Sequence, residues 1–190
     1  MPDTSTYLSA SLGADLRALR KTRSMTLVDL ADCCGKSVGW LSQVERDISH
    51  PSIEELKGLA QALDVPVSIF FGQAPAIPEE EGYVVRSGAR RRVGNGDNGL
   101  IEEMLSPDLT DDFEMFHSTF EAGAEMQKFE MRPTQEVGYL ISGKFRLWVG
   151  ARQFDLGPGD SFRIRGEAYR WANPWDQDAV AIWVIAPPVY

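Results

Sequence analysis

The sequence predicts two domains of different class, an all-α domain followed by an all-β one. Three observations lead there. Between Thr26 and Ser52, in TLVDLADCCGKSVGWLSQVERDISHPS, apolar residues recur at helical spacing on both sides of a glycine. After Phe71 the run GQAPAIPEEEG, rich in Pro, Gly and Glu, reads as a linker. Beyond it the period shortens. EVGYLIS, KFRLWVG, DSFRIR and AVAIWVIA are rich in β-branched and aromatic residues and bounded by Gly, Pro or Asp, which suits a sandwich or small barrel. The expected boundaries are 1–72 for the helical domain, 73–82 for the linker and 83–190 for the β-domain. With 190 residues, 43% of them hydrophobic, the chain has material for two small cores.

The helical elements follow from local chemistry. Thr26 caps a first helix with Asp29 as its acidic partner three residues on, and Leu27, Leu30 and Ala31 form its apolar face. Gly35 supplies a tight turn, since a residue without a Cβ takes positive φ without strain. Ser37 caps a second helix with Leu41 and Val44 as apolar positions, and Ser52 with Glu55 forms a capping box for the next. The adjacent Cys33 and Cys34 are read as ordinary small helix residues, because neighbouring cysteines rarely bridge and no histidines cluster near them.

Charge and hydropathy narrow the partners. The net charge of −9 divides into −2 over residues 1–72 and −7 over residues 73–190, so neither domain is basic overall. Contact with nucleic acid must come from a local patch, for which Arg17, Arg20, Lys21, Arg23, Lys36 and Arg46 are the supply. No apolar run reaches the roughly 20 residues of a membrane helix. The opening MPDTSTYLSAS lacks the basic start and apolar centre of a signal peptide. A soluble cytoplasmic protein without a membrane partner is expected.

The pieces LRALRKTRSMT, LADCCGKS, WLSQVER, HPSIEELKGLAQAL and DVPVSIFF, together spanning about Leu12 to Phe71, resemble the XRE-type, phage-repressor-like helix-turn-helix domain. The resemblance implies a five-helix fold that binds double-stranded operator DNA, with the second helix of the motif in the major groove. It places Val38, Gly39, Ser42 and Gln43 on the face that meets base edges. A Gln there suits adenine, and Val38 suits a thymine methyl. Lys36, Ser37, Trp40 and Arg46 fall where relatives position the DNA backbone, although Trp40 equally suits packing on the neighbouring helix. Arg20 and Glu45 stand where relatives form a buried structural ion pair. Asp47 replaces the usual Gly after Glu45-Arg46, and Asp tolerates the left-handed conformation needed there.

GAEMQKFEMRPTQEVGYLISGKF and LGPGDSFRIRGEAYRWANP resemble the two motifs of a cupin, a small double-stranded β-helix barrel. Gly123, Gly143, Gly157, Pro158, Gly159, Asp160 and Asn173 match its turns. The family usually holds a divalent metal with three His and one Glu. Here the Glu is Glu136, and the other three positions fall on Glu130, Arg132 and Tyr169. The only histidines, His50 and His117, lie outside both motifs. A guanidinium in the ligand set repels a cation, so no metal and no other cofactor is expected. Glu130, Arg132, Glu136, Tyr169 and Trp171 are instead expected to form an effector pocket. Carboxylates beside aromatic walls suit an amine. Arg132 suits a carboxylate, and both together suit an amino acid. Alternatively Arg132 pairs with Glu130 or Glu136 in a closed barrel without ligand.

The joint resemblance implies a sequence-specific transcriptional regulator, a repressor rather than an enzyme. Its cupin senses a small polar effector such as an amine or amino acid, or forms a homodimer, or does both. Two other readings stand beside it: a metal-dependent, epoxidase-like cupin enzyme, and a dimerisation cupin with no ligand.

Overall fold

The computed structural model describes residues 12–71, 77, 79–80, 82–93, 96, 98–107, 109 and 111–189. Most of the expected linker at 73–82, and the opening segment MPDTSTYLSAS, lie outside these. Contacts divide the chain into two units, one running to Val93 and including 106–111, the other made of 94–105 and 112–189.

The first unit holds α1 (Leu12–Thr22), α2 (Leu27–Cys33), α3 (Val38–Val44) and α4 (Ile53–Leu63). Thr26 caps α2 through its hydroxyl, which accepts the Asp29 N–H, while the Asp29 carboxylate accepts the Thr26 N–H at 2.7 Å. Ser52 and Glu55 make the same reciprocal box at α4, and Ser37 caps α3 by accepting the Trp40 N–H. Gly35 takes φ +61° in the turn between α2 and α3. The amphipathic faces meet in a core centred on Leu16, Leu30, Leu41, Leu59 and Phe70, each fully buried.

The expected fifth α-helix is a single 3-10 turn, Val67–Phe70. Asp64 ends α4 in the left-handed conformation, and Pro66 follows two residues later without an N–H to donate. Only four residues then remain before Phe71 returns to extended backbone. The described residues of 83–93 and 106–111 group by contacts with the helical unit. Arg91, on the short strand β1 (Arg91–Val93), reaches the Asp15 carboxylate of α1 at 2.8 Å with both side chains buried. The other oxygen of Asp15 accepts the Leu109 N–H.

The second unit contains β2 (Leu100–Met104), β3 (Glu114–Phe120), β4 (Gln135–Ser142), β5 (Phe145–Val149), β6 (Arg152–Leu156), β7 (Ser161–Arg165), β8 (Tyr169–Ala172) and β9 (Ala179–Ala186). Its larger sheet runs β2-β3-β9-β4-β7 and its smaller β6-β5-β8, with antiparallel pairing. The double-stranded β-helix barrel expected from the resemblance is, among the described residues, two separate sheets. Between β6 and β7 the chain changes sheet, and its turn bonds to Leu140 of β4 instead of extending either ladder. Alternation is strict on β3 and β9, where every second residue is buried. The inner faces meet in an aromatic cluster in which Phe120 lies 4.6 Å from Phe145 and 4.8 Å from Trp171. Asn173 ties its edge: the buried amide donates to the carbonyls of Phe120 and Gln177.

Candidate functional site

The exposed face of α3 is the first candidate. Ser37, Val38, Gly39, Gln43 and Arg46 are exposed and Ser42 is half-buried. The helix is held from behind by Arg20, whose Nε and Nη2 donate to the two oxygens of Glu45 at 2.6 and 2.8 Å. Nη1 donates to the Met25 carbonyl, so one guanidinium joins α1, the loop before α2 and the end of α3. Asp47 adopts φ +55° just beyond α3, and its carboxylate accepts the Gly13 N–H at 2.8 Å. A Cβ on Gly13 would stand 2.6 Å from the Val44 carbonyl oxygen, so only glycine allows this approach of α1 to α3. The cap from Asp47 and the close fit at Gly13 are contacts that the sequence reading missed. The signal was the Asp in place of the family's usual Gly.

The basic residues divide into engaged and exposed. Arg20 is taken by Glu45, and Arg23 donates to the Leu63 carbonyl at the end of α4. Lys36 bonds Glu55 at 2.6 Å and lies over the Trp40 ring at 5.2 Å. That lysine, with the Ser52 N–H and hydroxyl, holds the Glu55 carboxyl down at about 2. Trp40 itself is half-buried against the helical core. Arg17, Lys21 and Arg46 remain exposed on the helical unit, with Arg46 turned back onto the Ser42 carbonyl.

The inner face of the β-unit is the second candidate. Glu136 is buried on β4, and its two oxygens accept the Thr134 hydroxyl and the Trp183 indole N–H, each at 2.8 Å. Tyr169 is buried on β8, with Trp183 at 6.0 Å between ring centres. Burial pushes the Tyr169 phenol up, against the field of Arg132 and with that of Glu136, Glu130 and Glu102, so it stays neutral. Arg132 is half-exposed at the rim and donates to the exposed Glu130 at 2.8 Å. Trp171 shares the buried face of Tyr169 but serves as core, packed edge-on against Phe120.

The donor set does not fit the transition metal of the cupin family. Both Glu136 oxygens are engaged by neutral donors, Tyr169 stays a phenol, and Arg132 contributes a cation. No group of three His, Cys, Asp or Glu among the described residues is arranged to hold a metal ion.

Three inward groups were not found from sequence. Glu102 on β2 and Ser118 on β3 are register partners, and Glu114 on β3 is buried. They precede both cupin motifs, in a stretch not assigned to strands. Their signal was the alternation Glu114, Phe116, Ser118, Phe120, which sets polar residues on an otherwise apolar face. Burial pushes the Glu102 carboxyl up to about 7. The field of Arg132 opposes this, and those of Glu114, Glu136 and Glu130 add to it.

Together these features define a two-module chain, a helix-turn-helix unit followed by a two-sheet β-unit whose apolar interior carries a few polar groups. Residues 16–70 match the helix-turn-helix family and residues 116–185 the cupin domain family. The chain thus carries an XRE-type helix-turn-helix domain followed by a cupin domain. The immunity repressor protein of Bacillus phage phi105 is 37% identical over 71 residues, 37% of this chain and 49% of that protein. The HTH-type transcriptional regulator SutR of Escherichia coli (strain K12) is 33% identical over 86 residues, 42% of this chain and 48% of that protein. The matches thus span about half the length of these curated relatives. An RmlC-like cupin from Shewanella frigidimarina NCIMB 400 shares the fold over 56% of this chain and 92% of its own, at 19% identity and a TM-score of 0.50. No helix among the described residues is long and apolar enough to cross a membrane.

Proposed function

We propose that this chain is a sequence-specific transcriptional regulator that represses by binding operator DNA as a homodimer, with its cupin as an effector-binding module. The observation that carries the reading is α3. Its outward face offers Val38, Gly39, Ser42 and Gln43, and the bidentate Arg20–Glu45 pair holds it in one orientation. In this reading Gln43 reads a base edge, and Arg46, Ser37 and Lys36 position the backbone. Lys36 must first exchange Glu55 for phosphate. Exposed Arg17 and Lys21 add sequence-independent attraction.

A single small domain makes few contacts, so two copies reading half-sites about 34 Å apart are needed. The outer face of β4 supports pairing through the β-unit, since Val137, Tyr139 and Ile141 are 48, 50 and 46% exposed. The relatives named as a repressor and a transcriptional regulator support the regulatory role. A cytoplasmic place and a non-enzymatic cupin go with it, the latter because Glu136, Tyr169 and Arg132 form a poor ligand set for catalytic iron.

Selection of duplexes from a randomised pool by the full chain tests the reading. A recovered two-fold site, bound with a steep salt dependence, is the expected result. Recovery of no preferred sequence overturns it. Stoichiometric iron, manganese or zinc in the purified protein would revive the enzyme reading.

A further inference from the structure

The inward face of the β-unit adds to the motif's Glu136 two carboxylates, Glu102 and Glu114, that no motif accounts for. Register sets Glu102 beside Ser118, and Glu114 and Glu136 on the two sides of Ile185. The last two backbones are thus two strand spacings, about 10 Å, apart. The Ser118 hydroxyl is 0% exposed and has no hydrogen-bond partner. A buried hydroxyl left unmet is costly, and this one lies on the acidic face. Glu136 contributes acceptor charge held only by neutral donors, Thr134 and Trp183. The cation whose field reaches Glu102 is Arg132, already bonded to Glu130 at the rim.

We propose that this interior binds an organic ammonium ion and discriminates against amino acids. The ammonium is received by Glu102 and the Ser118 hydroxyl, register partners on β2 and β3, within the negative field of Glu114 and Glu136 and with Trp183 and Tyr169 as aromatic walls. A ligand carboxylate would meet this acceptor-rich face, and Arg132, the group suited to it, is engaged by Glu130. The inference rests on reading the cupin as an effector site and names what that site takes.

Binding is proton-linked. A neutral Glu102 gives an ammonium no counter-charge, and its carboxyl sits at about 7 under the opposing fields of Arg132 and of Glu114, Glu136 and Glu130. Tyr169 stays neutral and Arg132 charged over the same range. Affinity therefore rises about tenfold from pH 6 to pH 8.

Calorimetric titration of the full chain with n-butylammonium, 1,4-butanediammonium, 4-aminobutyrate and butyrate tests this on one carbon frame. At least one of the two ammonium ions is expected to bind, more tightly as pH rises, with the other two compounds at least tenfold weaker. Glu102→Gln should weaken ammonium binding at pH 8 and flatten its pH dependence, and Ser118→Ala should weaken it at every pH. If Glu102→Gln does not fold, the pH series on the unaltered chain and Ser118→Ala carry the test. Absence of binding by both ammonium ions, tighter binding of 4-aminobutyrate, or a pH-independent affinity overturns the proposal. Operator binding measured on the same preparation separates the failures. Intact DNA binding without ammonium binding sinks this inference alone, whereas an unaltered chain with no operator preference sinks the regulator reading.

Discussion

The helical unit buries Asp15, Arg20, Glu45 and Arg91 and joins them into two ion pairs, Arg20–Glu45 and Asp15–Arg91. The β-unit buries Glu136 between the neutral donors Thr134 and Trp183, shelters Glu102 in the field of other carboxylates, and sets Arg132 at its rim. Buried charge thus takes two forms in one chain. Matched in sign and geometry, it ties elements together and leaves nothing for a ligand to do. Gathered with one sign in excess, it raises the cost of its own ionisation, and a partner of opposite charge relieves that cost.

The comparison breaks first at the matched pairs. Arg20→Ala should cost roughly 3–5 kcal/mol, because Glu45 is left buried and uncompensated. A thermal melt of the full chain checks this, and an unchanged midpoint for the helical transition would defeat the structural role. Replacing both partners, Arg20→Met with Glu45→Leu, should recover much of the loss, since the pair's desolvation cost disappears with it.

The one-signed cluster predicts the opposite sign. Glu102 has a folded pKa of about 7 against an ordinary value of 4.5, so the native state holds the proton more tightly. Its contribution is intact below the ordinary value and is lost as pH climbs through about 7. Glu102→Gln should therefore stabilise the β-unit at pH 8 by about 2 kcal/mol, less than the full shift implies because the site is partly open to solvent. At pH 4 the effect should vanish. Chemical denaturation at the two pH values measures it, and destabilisation at pH 8 would contradict the assignment.

Smaller effects sharpen the reading face. Gln43→Ala should relax preference at one operator position by about 1–3 kcal/mol, seen as a change in the selected sequence rather than in folding. Arg46→Ala should weaken all duplexes alike and lower the salt slope by about one. A change of base preference in that variant would move Arg46 from the positioning residues to the reading ones.

Much of the helical unit was legible because its signals are local. The Thr26–Asp29 and Ser52–Glu55 boxes act across three residues, and Gly35 needs only its own φ. The strands β4, β5, β7 and β9 were legible for a similar reason, since their composition and bounding turns mark them one by one. The fifth helix was not, because Pro66 and the left-handed Asp64 override the helical resemblance of VSIF. Within the candidate pocket, the positions on Glu130, Arg132, Glu136 and Tyr169 came from motif spacing. Glu102 and Ser118 had no motif to mark them, and what draws them together is the β2–β3 register.

From its sequence alone this protein has two domains of different class, capped helices around a glycine turn, and a cupin motif without its histidines. These depend on neighbours within a few residues, where backbone geometry and hydrogen-bonding reach set the outcome. Tertiary structure decided which charges are matched. Asp15 meets Arg91 across 76 residues and Arg20 meets Glu45 across 25, while Glu102 meets the carboxylates of three other segments. Charge at such separations is governed by which strands and helices lie side by side, because Coulomb interaction and desolvation follow distance in space and not along the chain.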